Sequence, residues 1–177
     1  HQDEVISKVI PHLGWNEKGL DRLCTEVDIT AVTQLMSFVD MYDSASWMLT
    51  YVLMMERGVE NPVPSRAQYL RVICAEMSRI RSHLRYLIMV VRALGLENTE
   101  LTLCQLLKTL SSLAQNNFGD KLMRRYIRLG GVAHDLDDVL LGQLEAKLNL
   151  FYDCFRVGMD SFVSHSLVQN RLQGLGI

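Results

Sequence analysis

Hydrophobic side chains recur at spacings of three and four residues along the stretch from Pro62 to Gly95. This spacing places them on one face of an α-helix that packs lengthwise on other helices. The face consists of Leu70, Ile73, Met77, Ile80, Leu84, Leu87, Val91 and Leu94. Ser65 and Gln68 fit a capping box at its start, and Gly95 is a typical helix stop. The pattern predicts one long amphipathic helix around which the rest of the chain is organised.

Other segments with apolar side chains predict further helices. The segment Val32–Arg57 is apolar on most of its faces, which indicates a second long and buried helix. Helices are also predicted over 20–27 and 98–117, and a last long helix is predicted to begin where Asp135 or Asp137 caps it. The buried face of that last helix would consist of Leu141, Leu144, Leu148, Phe151, Phe155, Gly158 and Phe162.

The segments between these helices are short. A basic segment over 121–128 and a glycine turn at 129–131 precede the last long helix, and the first nineteen residues look irregular. Repeats, linkers and low-complexity tracts are absent from the sequence. The prediction is an all-α bundle of unusually long helices, organised as a single helical domain over residues 1–177.

Glu76, Arg79 and His83 form a polar row beside the hydrophobic face of the central helix. Three ionisable groups close to a buried face should pair with one another or with a neighbour, because an unpaired buried charge is costly. From the residue types alone, a structural ion-pair network is a better interpretation than a functional site.

Composition excludes several classes of protein. The chain has 177 residues, 49% of them hydrophobic and 21% charged, with a net charge of -2. This is enough for one domain with a real core, and the charge is not that of a nucleic-acid binder. The longest uncharged apolar run, Ser44–Met55, is too short to cross a bilayer.

The four cysteines, at positions 24, 74, 104 and 154, form no C-x-x-C motif. Free thiols in a reducing compartment are therefore expected, although pairing through the fold stays open. The chain starts at His1 without methionine, and we expect a processed, truncated or split product.

Motifs considered one by one give no catalytic assignment. His134 and the acids that follow it contain metal-ligand types, but acids at a helix start are better explained as caps. Tyr42 places a phenol in an apolar predicted helix, and a hydrogen bond to another helix is the simpler interpretation. Phosphate-loop, G-x-S-x-G and H-E-x-x-H motifs are absent from the sequence.

Four motifs in succession nevertheless resemble one protein family. They are PHLG at 11–14, PxPxRAQYLRVxxxExSRIxxHL at 62–84, YIRLGGVxxDL at 126–136 and NRxxxxG at 170–176. In order and spacing the chain resembles the 49-kDa-type subunit of respiratory complex I, which is kin to the large subunit of nickel-iron hydrogenases. The resemblance covers only the helical core of that subunit, and it implies a partial domain with a hydrogenase large-subunit-like core.

The resemblance implies roles for particular residues. In the family, ubiquinone is reduced between this subunit and a partner that carries the terminal 4Fe-4S cluster, N2. Tyr42 matches the tyrosine that hydrogen-bonds the quinone headgroup, which replaces the structural interpretation of Tyr42 with a catalytic one. Lys18 and Arg128 match positions near the cluster, so they are expected to act in cofactor binding. No metal site is expected on this chain, because the partner holds the cluster.

The same resemblance implies partners and a location. The expected partners are the N2 cluster subunit, the remaining fragments of the same subunit and a membrane-arm subunit with the quinone channel. The chain is thus expected to be a peripheral part of a large hetero-oligomer, NADH:ubiquinone oxidoreductase. The expected location is the matrix side of the mitochondrial inner membrane, with the cytoplasmic face of a bacterial plasma membrane as the alternative.

Three positions depart from the family. Lys18 replaces an arginine near the cluster, Met123 replaces a histidine that tunes it, and Ala93 replaces an acid that pairs with a headgroup histidine. Either quinone chemistry persists with altered electrostatics, or the chain has become a non-catalytic helical scaffold. Hydrogenase chemistry is rejected, because the segment Met41–Trp47 lacks the cysteines that would hold nickel and iron.

Overall fold

The computed structural model describes residues 6–58 and 62–174, so the end of the NRxxxxG motif lies outside the described residues. These residues form seven α-helices and one two-stranded antiparallel hairpin. The elements are α1 (Leu20–Glu26), α2 (Ile29–Met36), α3 (Ser44–Glu56), α4 (Ser65–Ala93), α5 (Glu97–Phe118), β1 (Ile127–Arg128), β2 (Gly131–Val132), α6 (Asp138–Val163) and α7 (Ser166–Leu172).

The long helices pack side by side: α3 on α4, α4 on α5 and α5 on α6. The predicted face of α4 points inward, except that Ile80 is 37% exposed. Residues buried between the helices include Met48, Val52, Leu70, Met77, Leu84, Val91, Leu103, Leu110, Leu144 and Phe151. The predicted all-α architecture is confirmed. Whether residues 1–177 form a single domain stays a prediction, because both ends of the chain lie outside the described residues.

The predicted second long helix, Val32–Arg57, is wrong. The structure divides it into α2 and α3, which are separated by a loop over residues 37–43, here called the α2–α3 loop. In this loop the carboxylate of Asp40 accepts a hydrogen bond from the backbone N–H of Tyr42 at 2.7 Å. Asp43 likewise accepts from the hydroxyl of Ser46 at 2.9 Å. Short polar side chains that bond to nearby backbone and hydroxyl groups compete with helix formation, which explains the break.

The predicted start of α4 is also corrected. Pro64 is the N-cap and Ser65 is the first helical residue, so Ser65 does not cap the helix. The Gln68 amide instead donates to the carbonyl of Val63 at 2.9 Å. For α6, the structure selects Asp137 as the cap, since its carboxylate accepts from the Leu140 N–H at 2.7 Å.

The predicted glycine turn is confirmed as the turn of the β1–β2 hairpin. Gly130 has a φ of +80°, a left-handed conformation that residues with a Cβ adopt only at a cost. The hairpin lies between α5 and α6. None of the helices within residues 6–58 and 62–174 is long and apolar enough to cross a membrane.

Candidate functional site

Tyr42 lies in the α2–α3 loop and not in a helix, which corrects its predicted placement. Its side chain is 42% exposed, and the described residues offer its hydroxyl no hydrogen bond. The guanidinium carbon of Arg85 on α4 lies 4.8 Å from the centre of its ring. This cation–π contact orients the ring while leaving the phenol accessible. The helix-to-helix hydrogen bond first considered for Tyr42 is therefore not seen.

Lys18 contacts the other end of the same loop. Its ammonium group donates to the carbonyl of Phe38 at 2.6 Å. The Phe38 ring in turn lies under Arg124, whose guanidinium carbon is 5.2 Å from the ring centre. Lys18 thus supports the loop that carries Tyr42, although no direct contact between Lys18 and Tyr42 is seen in the described ranges.

Arg128 lies on β1 with an exposed side chain, and its backbone is fixed by a buried neighbour. The guanidinium of Arg71, 1% exposed, donates to the Arg128 carbonyl at 2.7 Å and to the Gly131 carbonyl at 2.9 Å. It also binds both carboxylate oxygens of Glu56, at 2.7 and 2.6 Å. One oxygen of Glu56 accepts from the N–H of Gly130 at 2.8 Å. The Arg71–Glu56 pair therefore joins α3, α4 and the hairpin.

The Arg71–Glu56 pair was not predicted from the sequence as a positioning device. The sequence contained a signal for it, because Arg71 lies on a buried face of α4 at helical spacing from Cys74, Ser78 and Arg81. Hydrogen bonds from Arg71 hold the pKa of the Glu56 carboxyl below its usual value, although burial opposes this. The ion pair is thus formed at neutral pH.

Arg81 is a second buried guanidinium on α4, 2% exposed. It donates one long hydrogen bond, 3.4 Å, to the carbonyl of Met41 in the α2–α3 loop. Its Nε and Nη1 atoms have no partner among the described residues. Burial, and then the charges of Arg85 and Arg124, lower the pKa of Arg81. Three guanidinium groups, those of Arg81, Arg85 and Arg124, thus lie close to the α2–α3 loop.

The row of Glu76, Arg79 and His83 was expected close to the buried face of α4, but it is not buried. Glu76 and Arg79 pair with each other, as predicted, but their side chains are 48% and 59% exposed. Arg79 and His83 border a cavity of about 410 Å³ between α4 and α6, whose other walls include Phe151 and Phe155. The row therefore lies on the surface of the bundle.

The acidic residues that follow His134 form structural ion pairs and hydrogen bonds. Arg66 pairs with Asp135 at 2.8 Å and with Asp138 at 3.2 Å, and the pKa of Asp135 is lowered by its bond to Arg66. The Nε2 of His134 donates to the carbonyl of Asn117 at 2.9 Å. In residues 6–58 and 62–174, no three His, Cys, Asp or Glu side chains come together to hold a metal ion.

Two of the positions that depart from the family have contrasting surroundings. Met123 is fully buried and has a φ of +57°. Its N–H donates to the carbonyl of Asp120 at 3.0 Å. Ala93 is the exposed last residue of α4. A buried thioether has no proton to exchange, so Met123 cannot act as a titrating group.

Comparison with known proteins gives a consistent result. The chain is 26% identical over 174 residues to the D-type subunit of the NADH-quinone oxidoreductase of Geobacter sulfurreducens. It is 28% identical over 176 residues to the second D-type subunit of Rhizobium meliloti, and 29% identical over 159 residues to that of Koribacter versatilis. No protein-family model matches the chain.

These alignments cover 98% of the chain for the first two proteins and 90% for the third. They cover 45%, 43% and 39% of those proteins, respectively. The chain spans less than half the length of the curated relatives it matches. The resemblance to the 49-kDa-type subunit is confirmed, and it concerns a part of that subunit.

Proposed function

We propose that this chain, which is related in sequence to part of the D-type subunit of NADH-quinone oxidoreductase, is a fragment of the core quinone-site subunit of complex I. The observation that carries the proposal is the sequence similarity to such subunits along 98% of the chain. The chain acts as part of this proton-pumping NADH:ubiquinone oxidoreductase and is not catalytic alone.

In the proposed site, Tyr42 contacts the ubiquinone headgroup. A phenol is neutral at pH 7 and donates a hydrogen bond to a carbonyl oxygen, which becomes more basic as the quinone gains electrons. Reduction to the quinol consumes two electrons and two protons, and the electrons come from the 4Fe-4S cluster N2. The accessible hydroxyl of Tyr42 and the Arg85 contact that orients its ring support this role.

The cluster itself is proposed to be held by a partner subunit. The four cysteines lie on four different helices, α1, α4, α5 and α6, and within residues 6–58 and 62–174 they do not come together with other cysteine, histidine or acidic side chains as a ligand set. Lys18 and Arg128 are proposed to face the cluster-bearing partner. Lys18 also supports the α2–α3 loop through the Phe38 carbonyl, which connects it to Tyr42.

The remaining proposed partners are the other fragments of the same subunit and the membrane-arm subunit with the quinone channel. The chain would lie at the membrane as a peripheral part of the complex. The relatives named above are bacterial, which favours the cytoplasmic face of a bacterial plasma membrane over the mitochondrial inner membrane.

A second function, that of a non-catalytic scaffold, is favoured by one observation. Met123, at the position of the family histidine that tunes the cluster, is buried and cannot titrate. A chain that kept the fold but lost proton-coupled tuning would hold the complex together without reducing quinone. An intact second copy of the quinone-site subunit in the same assembly would identify this function.

Tyr42→Phe in the assembled complex tests the proposal. The substitution removes the hydroxyl and keeps the ring over Arg85, so NADH:ubiquinone reductase activity should fall at least about tenfold. Electron transfer from NADH to ferricyanide, and assembly on a native gel, should not change. Tyr69→Phe, at a 73% exposed position on α4, is the matched control. Unchanged quinone reduction in the Tyr42 variant would remove Tyr42 from the site and favour the scaffold function.

A further inference from the structure

Three arginines line a groove between α2 and the segment that leads into the hairpin. Two cavities, of about 300 and 360 Å³, share Gln34, Arg124 and Arg125 as lining residues and are therefore parts of one groove. We call it the arginine groove, and its defining residues are Thr30, Thr33, Gln34, Arg124, Arg125 and Arg128.

The guanidinium groups in this groove are not paired with carboxylates of the described residues. None of the three arginines forms an ion pair with a carboxylate in the described part of the chain. Asp120 borders one end, but its carboxylate accepts hydrogen bonds from the backbone N–H groups of Leu122 and Arg124, at 3.3 and 3.0 Å. The arginine groove is therefore a concentration of positive charge in a chain whose net charge is -2.

A buried hydroxyl in the groove wall also lacks a partner. Thr33 is 5% exposed, and its Oγ1 forms no hydrogen bond with the described residues. A helical threonine often bonds to the carbonyl four residues earlier, but here the carbonyl of Ile29 accepts from the Tyr51 hydroxyl at 3.3 Å. The Nε of Arg124 is likewise buried and unpaired in the described ranges. Buried polar groups are normally satisfied by protein or water, so both atoms leave hydrogen-bonding capacity unused in the wall of the groove.

We propose that the arginine groove binds an acidic segment of a protein partner, whose carboxylates pair with Arg124, Arg125 and Arg128. Guanidinium groups bind carboxylates through two parallel hydrogen bonds, which gives both affinity and register. The three arginines are spread over five consecutive residues, a length that fits several carboxylates along a peptide better than one small anion. Hydroxyl and amide groups of Thr30, Thr33 and Gln34 on α2 would bond to the peptide backbone.

This inference deepens the function proposed above, and it rests on that function only for the identity of the partner. The arginine groove adjoins the α2–α3 loop through Phe38, which lines one of its cavities. An acidic surface on the cluster-bearing partner would dock beside Tyr42 without touching the phenol. Peptide binding and quinone reduction are separate measurements, so each proposal can fail without the other.

The test is fluorescence anisotropy of labelled hexaglutamate with the full chain at low salt, with hexaglutamine as the neutral probe. Hexaglutamate should bind saturably, and hexaglutamine about tenfold more weakly or not at all. Arg125→Gln should weaken hexaglutamate binding about tenfold, because one charge-assisted bidentate pair is lost. Arg156→Gln, at an exposed position on α6, is the matched control and should change binding less than about twofold.

Thr33→Val separates binding from folding. The substitution has nearly the same shape and removes the unpaired hydroxyl, so the melting temperature should hold or rise while hexaglutamate binding weakens. Tyr42→Phe should bind hexaglutamate like the wild type. Equal effects of Arg125→Gln and Arg156→Gln would overturn the proposal. The proposal would also be overturned if inorganic phosphate displaced hexaglutamate at a concentration below that of the peptide. The groove would then be a site for small anions.

Discussion

Removal of Arg71 should cost more stability than removal of any surface arginine of this chain. Arg71→Met would remove four hydrogen bonds and leave the carboxylate of Glu56, 16% exposed, without its charged partner. Breaking a buried ion pair by deleting one member costs about 3–5 kcal/mol. For a domain of this size that corresponds to a fall in Tm of roughly 6–20 °C.

The surface pair of Glu76 and Arg79 supplies a matched control. It joins the same two residue types, but its side chains are about half exposed. Arg79→Met should therefore change the free energy of unfolding by less than ~1 kcal/mol. The assay is urea unfolding at pH 7, followed by far-UV circular dichroism, on both variants and the wild type.

A double variant and a pH series isolate the contribution of the ion pair. Glu56→Leu with Arg71→Met should be more stable than Arg71→Met alone, because no unpaired buried carboxylate remains. The depressed pKa of Glu56 implies stability that is present above its unfolded pKa and lost as the pH falls through its folded pKa. Arg71→Met should lose this acid-dependent contribution. Equal costs for Arg71→Met and Arg79→Met, or additive effects in the double variant, would refute the reasoning.

Two further substitutions test other parts of the fold. Gly142→Ala should raise the free energy of unfolding by roughly 0.5–1 kcal/mol in urea titrations, because Gly142 is interior to α6 and a Cβ there meets no atom within 4 Å. Burial raises the pKa of Tyr126 to about 12, so its contribution to stability is complete below pH 10 and lost as the pH rises towards 12. Tyr126→Phe should flatten the alkaline part of the stability profile, and an unchanged profile would contradict this explanation.

The long helices α4 and α6, and the side of each that is buried, could be predicted from the sequence because helical spacing is local information. The face of α4 from Leu70 to Leu94 and the face of α6 from Leu141 to Phe162 are both buried or partly buried, with Ile80 as the one exception in those predicted faces. A residue pattern that repeats every three or four positions specifies its buried side without knowledge of the partner helix.

The predicted boundaries were wrong where side chains compete with the backbone. Apolar periodicity continues across residues 37–43, but Asp40 and Asp43 bond to neighbours in the loop and end the helical pattern. The Arg71–Glu56 pair was missed for a different reason. Its members are fifteen residues apart and on separate helices, so only the packing of α3 on α4 brings them together.

The position of Tyr42 also limits where its chemistry can occur. Its ring is 42% exposed and its loop is held by Asp40, by Lys18 through Phe38, and by Arg81 through Met41. A hydrogen bond from an exposed phenol competes with water and is worth only about 0.5–1.5 kcal/mol. Polarising a quinone carbonyl requires that water be excluded, which strengthens the same bond. The described helices do not cover Tyr42, so the proposed quinone site would need a covering surface from a partner, and Arg124 and Arg125 beside the loop favour an acidic one.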